Sequence, residues 1–222
     1  MRRETLRRYN LLILTFFGFS LLFYFLLNGG AYWRILRYNL FLHSPLASAD
    51  LKSGEILTVP SALTSNGGSS GPKITTGGFS LVVPKISVEA PIAVPGDQTK
   101  KGILASLEEG VGLYPGSVEP GEPGRIIILG HSSRATWYRG GYATIFALLP
   151  ELKEFDTFYV VGGGKKYTYQ VFARKILPPA ETDSLLAIQS LESEVDLVTC
   201  YPIGSASKRT VIQAKLISTQ NI

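Results

Sequence analysis

The residues that could do chemistry in this chain are grouped around its single cysteine. Cys200 ends the short apolar run Leu197–Thr199, a turn follows at Pro202, and Arg209 then opens a second apolar run. If the two runs are neighbouring strands, the turn brings Arg209 back beside the sulfur. A cation stabilises a neighbouring thiolate, which is the nucleophilic form of cysteine. The spacing therefore predicts a reactive thiol, and the alternative is an inert cysteine buried as a small hydrophobic residue.

A thiol nucleophile needs a proton carrier, and the chain contains two histidines, His43 and His131. His131 follows the apolar run Ile126–Leu129 and a glycine, whereas His43 lies just beyond a long apolar segment near the N-terminus. We predict that His131 is the proton carrier, because it stands at a strand end like Cys200 and Arg209. Cysteine, histidine and arginine at three strand ends suit covalent acyl transfer.

These residues resemble the motifs of the sortases, the membrane-anchored cysteine transpeptidases of bacterial surfaces. The resemblance runs from about Phe79 to Leu216. Its segments, in chain order, are Leu81–Ile86, Gly110–Gly116, Gly130–Ser132, and Leu197–Pro202 with Arg209 downstream. The Cys-Tyr-Pro and Gly-Ser-Ala-x-Lys-Arg segments resemble the class D branch in particular.

The resemblance implies a role for each of the three site residues. Cys200 would attack a peptide carbonyl and form a thioester. His131 would protonate the departing amine and deprotonate the incoming one, and Arg209 would stabilise the oxyanion. The implied substrate is an LPxTG-like sorting signal of exported proteins, transferred to an amine of the cell envelope. Further candidates for substrate contact are Thr199, Ser132, Leu185, Leu186 and Ile188.

We expect no cofactor and no metal. Some sortases place carboxylates in loops that bind calcium, and Glu119, Glu122 and Asp183 are the nearest equivalents here. The segments around them lack a calcium-loop signature, so solvated charge is the favoured interpretation. With one cysteine, the chain can form neither an internal disulfide nor a multi-cysteine metal site.

The charge distribution argues against nucleic-acid binding. The 222 residues carry a formal net charge of +5, and four arginines lie within the first eight residues. The rest of the chain is close to neutral and has no basic stripe interleaved with aromatic residues, so a nucleic acid is not an expected partner.

The N-terminal region predicts a membrane anchor. Leu11–Leu27 is an uncharged apolar run, and Tyr32 and Trp33 follow it at the position of an interfacial aromatic belt. The arginines before the run predict a cytoplasmic N-terminus and an extracellular domain on a single-pass protein. The alternative, a cleaved signal peptide, would use Ala47–Ala49, which lies too far beyond the run for the usual layout.

The remaining sequence predicts one β-barrel domain behind a linker. We divide the chain into a basic tail (1–10), an anchor (11–33), a juxtamembrane segment with a Ser/Gly-rich linker (34–78) and a barrel (79–222). The expected strands are Phe79–Val83, Ser87–Ala93, Arg125–Leu129, Phe158–Val161, Tyr167–Ile176, Val195–Cys200 and Arg209–Ile217. Short helices are expected at Ala143–Leu149 and Ser184–Leu191, the second capped by Asp183. Seven or eight short strands indicate an all-β, closed or nearly closed barrel, as the resemblance also implies.

Two other functions remain open from the sequence. A membrane-tethered cysteine protease would use the same thiol with water as acceptor, although papain-like enzymes place the cysteine before the histidine. An extracellular β-domain that binds or scaffolds would leave the cysteine inert. The reactivity of the thiol separates the inert β-domain from the two cysteine enzymes.

Overall fold

The computed structural model describes residues 2–42, 78–133 and 141–222. His43 and residues 43–77, where most of the predicted linker falls, lie outside the described residues. The chain begins with a long helix α1, Arg2–Leu42. The eight strands are β1 Ser80–Val83, β2 Val88–Ala93, β3 Val111–Leu113, β4 Gly124–Leu129, β5 Thr157–Gly162, β6 Lys165–Leu177, β7 Ser193–Tyr201 and β8 Lys208–Asn221. Two short helices, α2 Lys100–Glu109 and α3 Pro179–Leu186, lie between strands.

The eight strands close into a barrel in the order β1-β2-β3-β4-β7-β8-β6-β5. Most neighbours are antiparallel, but β3 runs parallel to β2 and β7 runs parallel to β4. Because the barrel is closed, it has no edge strand whose unpaired backbone groups could pair with another chain. The predicted all-β barrel of about eight strands with short helices is confirmed.

The barrel interior is filled by the inward-facing side chains of alternating strand positions. On β7, Val195 and Leu197 point inward, and opposite them on β8 stand Ala214 and Ile212. These side chains join one continuous core with buried aromatic rings from β5 and β6, where Phe158 stacks on Tyr169. Because side chains alternate along a strand, Cys200 and its neighbours at every second position face the other way.

Helix α1 is longer than the predicted anchor of residues 11–33, because it continues without a break to Leu42. Its segment Arg8–Leu40 is long and apolar enough to cross a membrane, a property that a signal sequence shares. The side chains of residues 8–26 are exposed, as lipid-facing side chains would be.

Four local predictions differ from the structure. Helix α2, whose N-cap Thr99 accepts a hydrogen bond from Gly102 N, was not predicted, and neither was the three-residue strand β3. The helix predicted at Ala143–Leu149 is wrong, because this segment forms consecutive turns that lead into a 3-10 helix at Leu149–Glu151. All five side chains at residues 145–149 are buried, and turns allow this, whereas a helix would bury only one face.

The fourth difference is the position of the second helix. It was predicted at Ser184–Leu191 with Asp183 as its N-cap, but α3 spans Pro179–Leu186 and Pro178 is its N-cap. Proline in the first turn has the helical φ angle already fixed and lacks only an N–H that would have no helical partner. The predicted C-terminal end had nothing to pack against, since Leu191 is 95% exposed.

Candidate active site

The β7–β8 hairpin brings Cys200 and Arg209 face to face. The two strands pair in antiparallel register with Cys200 opposite Arg209 and Val198 opposite Val211. Directly opposed residues of an antiparallel pair point to the same side of the sheet. The sulfur and the guanidinium therefore share the outer face of the barrel wall, at the end where β7 stops.

His131 reaches the other side of Cys200 through the parallel pairing of β4 with β7. In this register Leu129 is the partner of Val198. Beyond the strand end, Gly130 N donates to Val198 O at 3.1 Å. His131 is two residues after Leu129, and Cys200 is two residues after Val198. The two residues therefore lie at the same level along the neighbouring strands β4 and β7. The structure thus aligns the backbones of His131, Cys200 and Arg209 on neighbouring chain segments.

Backbone contacts around Gly130 hold this alignment. Thr199, which is 3% exposed, donates its hydroxyl to Gly130 O at 2.7 Å, and Phe146 N donates to His131 O at 2.9 Å. A Cβ at position 130 would lie 2.3 Å from the Phe146 ring, so only glycine fits there. Thr199 was predicted to contact the substrate. In the structure its hydroxyl makes a hydrogen bond that fixes the segment around His131, which we call the histidine loop.

Arg209 is held by its own turn in this structure. Its Nη1 donates to Ala206 O and to Lys208 O, both at 2.9 Å. The half-buried guanidinium is therefore oriented by two backbone carbonyls beside Cys200. A hydrogen bond also connects this turn to the histidine loop, because Gly204 N donates to the hydroxyl of Ser133 at 2.9 Å. Ser133 was not among the predicted site residues.

An apolar cluster lies on the outer face next to the thiol. Its buried members are Ile127, Val198 and Val211, and the half-buried Leu129, Leu185 and Leu186 pack against them. We call these six residues the outer cluster. Leu185 and Leu186 belong to α3, so this helix covers the strip of wall that leads to Cys200. Ile188, the third predicted contact from this region, is 57% exposed and lies outside the cluster.

A cleft of about 390 Å³ opens on Cys200 from the end of the barrel. Its lining includes Tyr32, Ile35, Ser132, Glu151, Arg174 and Ile203. Ser132 was predicted as a substrate contact, and it is 3% exposed at the cleft wall. We call this space the Cys200 cleft. Tyr32 and Ile35 were not predicted as site residues, because Tyr32 was assigned to the anchor and Ile35 to the juxtamembrane segment.

A charged network supports the outer face under α3. Arg125 donates to Leu185 O at 2.9 Å and pairs with Glu194 at 2.8 Å and with Asp196 at 3.3 Å. Asp196 has no exposed side-chain surface, and Gln213 donates to it at 3.4 Å. Burial raises the pKa of the Asp196 carboxyl to about 6, although Arg125 and Gln213 act to lower it. The network connects β4, β7 and β8 to the C-terminal end of α3.

The calcium candidates do not converge. Glu119 and Glu122 lie in the connection between β3 and β4, and Asp183 lies in α3. Among the described residues, no group of three or more His, Cys, Asp or Glu side chains is arranged to hold a metal ion. The expectation of no cofactor stays a prediction.

Comparisons with known proteins identify relatives of this region. Residues 81–217 match the family described as the Sortase domain. Sortase D of Bacillus subtilis (strain 168) is 32% identical over 141 residues, covering 62% of this chain and 63% of that protein. Sortase A from Corynebacterium diphtheriae is 30% identical with a TM-score of 0.53, covering 64% of this chain and 61% of that chain. Sortase C of Streptococcus pneumoniae is 27% identical with a TM-score of 0.55, covering 68% and 74%. The matched part thus spans less than two thirds of the first two relatives.

Proposed function

This chain belongs to the sortase family, and we propose that it is a cysteine transpeptidase that cleaves an LPxTG-like sorting signal and joins it to an amine of the cell envelope. One observation carries the proposal most directly. The registers of β4, β7 and β8 align His131, Cys200 and Arg209 side by side at one end of the barrel. The 32% identity to Sortase D and the Cys-Tyr-Pro segment are consistent with a class D-like member.

In the first half of the proposed reaction the Cys200 thiol transfers its proton to His131 and its sulfur attacks the carbonyl carbon of the scissile peptide. A C–S bond forms, and the C–N bond breaks as His131 gives a proton to the departing amine. Arg209, fixed beside the sulfur by its turn, stabilises the negative oxygen that develops on the carbonyl. The outer cluster offers an apolar surface for the leucine and proline side of the signal.

In the second half an amine of the envelope attacks the thioester. The new C–N bond forms, the C–S bond breaks, and His131 takes the proton that the amine loses. If water replaced the amine, the same intermediate would be hydrolysed, and the protein would act as a protease. The identity of the acceptor therefore separates transpeptidation from proteolysis, and the experiment has to test both.

The first prediction concerns the acyl-enzyme. We expect the full chain in detergent micelles, incubated with a panel of sorting-signal peptides, to gain the mass of the acyl fragment on Cys200. Adding a peptide with a free N-terminal amine should discharge the adduct into a ligated product. Intact-mass spectrometry follows both steps, because the thioester is a covalent adduct of defined mass.

Two variants control the assignment. Cys200→Ala should give no adduct, and His131→Ala should slow both adduct formation and discharge. An adduct that persists in Cys200→Ala would refute the nucleophile, and discharge only by water would favour the protease. No adduct together with slow thiol labelling would indicate an inert β-domain.

A further inference from the structure

The C-terminal part of helix α1 packs against the barrel, and Tyr24 near the end of its exposed part also contacts the barrel domain. Residues 8–26 are exposed, and the pattern then changes. Ala31 is completely buried, and Arg34, Ile35 and Tyr38 are half-buried. Spacings of three and four residues place these four side chains on one face of the helix. Trp33 and Leu36, which are 65% and 49% exposed, lie on the opposite face.

Specific contacts fix this docking. Arg34 Nη1 donates to Thr144 O at 2.6 Å and to Ile145 O at 3.2 Å. Ile35 and Tyr38 pack against the main core of the barrel. About two turns before Ala31, within the exposed stretch, the hydroxyl of Tyr24 donates to Ile203 O at 3.0 Å. Ile203 follows Cys200 by three residues, so the helix is bonded to the segment that carries the thiol.

The docked face of α1 forms one wall of the Cys200 cleft. Tyr32 and Ile35 line the cleft together with Cys200 and Ile203. The cleft volume of about 390 Å³ falls in the range of small-molecule and peptide side-chain sites. The helix that was assigned to the membrane thus contributes side chains to the space next to the nucleophile.

The cleft and the outer cluster lie on different sides of the sulfur. The outer cluster follows Val198 and Val211 along the outer face of the wall. The cleft is reached from the end of the barrel, past Ile203 and Ile176. Ile176 is paired with Thr210, which is buried on the inner side of the wall. The acyl part and the amine part of a peptide bond leave the carbonyl carbon in opposite directions. If the outer cluster takes the acyl part, the cleft is left for the amine part.

The charged side chains of the cleft suit an amine ligand. Glu151 contributes a half-buried carboxylate that attracts an ammonium group. Arg174 lies in the same cleft, but its Nη1 donates to Pro150 O, which holds the guanidinium against the 3-10 helix. An incoming primary amine in the cleft would therefore have a carboxylate among its lining residues.

We propose that the outer turns of α1 are part of the active site, with Tyr32 and Ile35 forming the wall of the subsite that binds the amine acceptor, a peptide with a free amine. This inference rests on the proposed transpeptidase function and deepens it. It makes the anchor helix a determinant of acceptor binding as well as a tether.

Chemical cross-linking tests the docking itself. The chain has one cysteine, so a single introduced cysteine gives an unambiguous pair. In the full chain reconstituted in lipid nanodiscs, Ile35→Cys should be joined to Cys200 by a short bis-maleimide, and Trp33→Cys should not. Equal cross-linking of the two variants, or none in either while their thermal unfolding matches the parent, would overturn the docked arrangement.

Kinetics test the subsite. The donor peptide should carry only one residue after the scissile bond, so that acylation makes little use of the cleft. We expect Tyr32→Ala and Ile35→Ala to raise the KM for the amine peptide by about tenfold, a larger effect than either variant has on the rate of thioester formation. Trp33→Ala, at an exposed position on the opposite helix face, should not change the KM for the amine peptide.

The outcomes separate this inference from the proposed function. If the parent protein forms no thioester, the proposed function fails and the subsite fails with it. If the thioester forms but the Tyr32 and Ile35 variants behave like Trp33→Ala, the subsite alone is refuted. Faster acylation in both variants would also refute it, because α1 would then be a cover over the thiol and not a wall of the acceptor site.

Discussion

At the scale of single residues, the position of Cys200 between His131 and Arg209 follows from strand register. Arg209 is the cross-strand partner of Cys200, and its Nη1 is held by two carbonyls of the turn. A guanidinium that is oriented before the substrate arrives needs no rearrangement in the transition state, which is the basis of oxyanion stabilisation. An ammonium group at this position could not offer the same pair of donors.

We therefore expect Arg209→Ala to lower kcat about a hundredfold or more with a smaller change in KM, because the lost interaction belongs to the transition state. Arg209→Lys should recover little of the activity. Steady-state transpeptidation of a sorting-signal peptide measures both constants. Lys208→Ala is the matched control, since Lys208 is the neighbouring exposed cation. A Lys208→Ala loss as large as that of Arg209→Ala would contradict the assignment.

Of the two neighbours of Cys200, only Arg209 could be predicted from local features of the sequence. Cys200 and Arg209 belong to one hairpin, so a turn between two apolar runs was enough. The alignment of His131 with Cys200 depends on a parallel pairing between β4 and β7, whose paired residues, such as Leu129 and Val198, are 69 positions apart. Nothing local encodes such a pairing, and the family resemblance alone indicated that the three residues meet.

At the scale of elements, the helices were harder to predict than the strands. β-Type runs bounded by glycine and proline were visible, whereas α2 begins with Lys100, Lys101 and Gly102 and has no strong apolar stripe. Its one clear signal was Thr99, which caps the helix, preceded by Asp97. The strand β3 is only three residues long and exists because β2 and β4 flank it. Such an element is determined by its neighbours and not by its own sequence.

The network under α3 makes a prediction about pH. The pKa of Asp196 is about 6 in the folded protein and near 4 in an unfolded chain. Between these values the folded state keeps a proton that the unfolded state has released, so this group makes the free energy of unfolding fall as pH rises from about 4 to about 6. Asp196→Asn removes the titration. The variant should therefore gain stability relative to the parent over this window, by up to about 3 kcal/mol.

Urea unfolding of the detergent-solubilised chain, followed by circular dichroism at a series of pH values, measures this difference. Glu192→Gln is the control, because Glu192 is an exposed carboxyl near the start of the same strand and should follow the parent profile. Arg125 keeps its bond to Glu194 in the Asp196→Asn variant, so the network is not dismantled. A constant difference between variant and parent from pH 4 to pH 7 would show that Asp196 does not titrate in this way.

At the scale of the whole molecule, helix α1 has an exposed apolar part and a part that is docked on the barrel. The exposed stretch of residues 8–26 is roughly 28 Å long at 1.5 Å per residue, close to the thickness of the hydrocarbon core. Contact with the barrel domain begins near the end of this stretch, where Tyr24 donates to Ile203 O, and continues with Ala31 buried and Arg34 bonded to Thr144 O. If α1 spans the bilayer over the exposed stretch, the Cys200 cleft lies within a few turns of the headgroups. A substrate that is itself held at the membrane would then be at the same distance from the bilayer as the thiol.

The last prediction concerns orientation. Four arginines precede the apolar run, and positive charge is retained on the cytoplasmic side, so the N-terminus should be cytoplasmic and the barrel extracellular. In a Cys200→Ala background, Ser70→Cys should react with a membrane-impermeant maleimide on intact cells, and Thr5→Cys should react only after the cells are opened. Replacing Arg2, Arg3, Arg7 and Arg8 by Gln should weaken this asymmetry, because the charge bias that sets the orientation is lost. Labelling of Thr5→Cys from outside would reverse the topology. A mature protein beginning at Asp50 would show that the segment is a cleaved signal, and the docked wall of the Cys200 cleft would then be absent from the working enzyme.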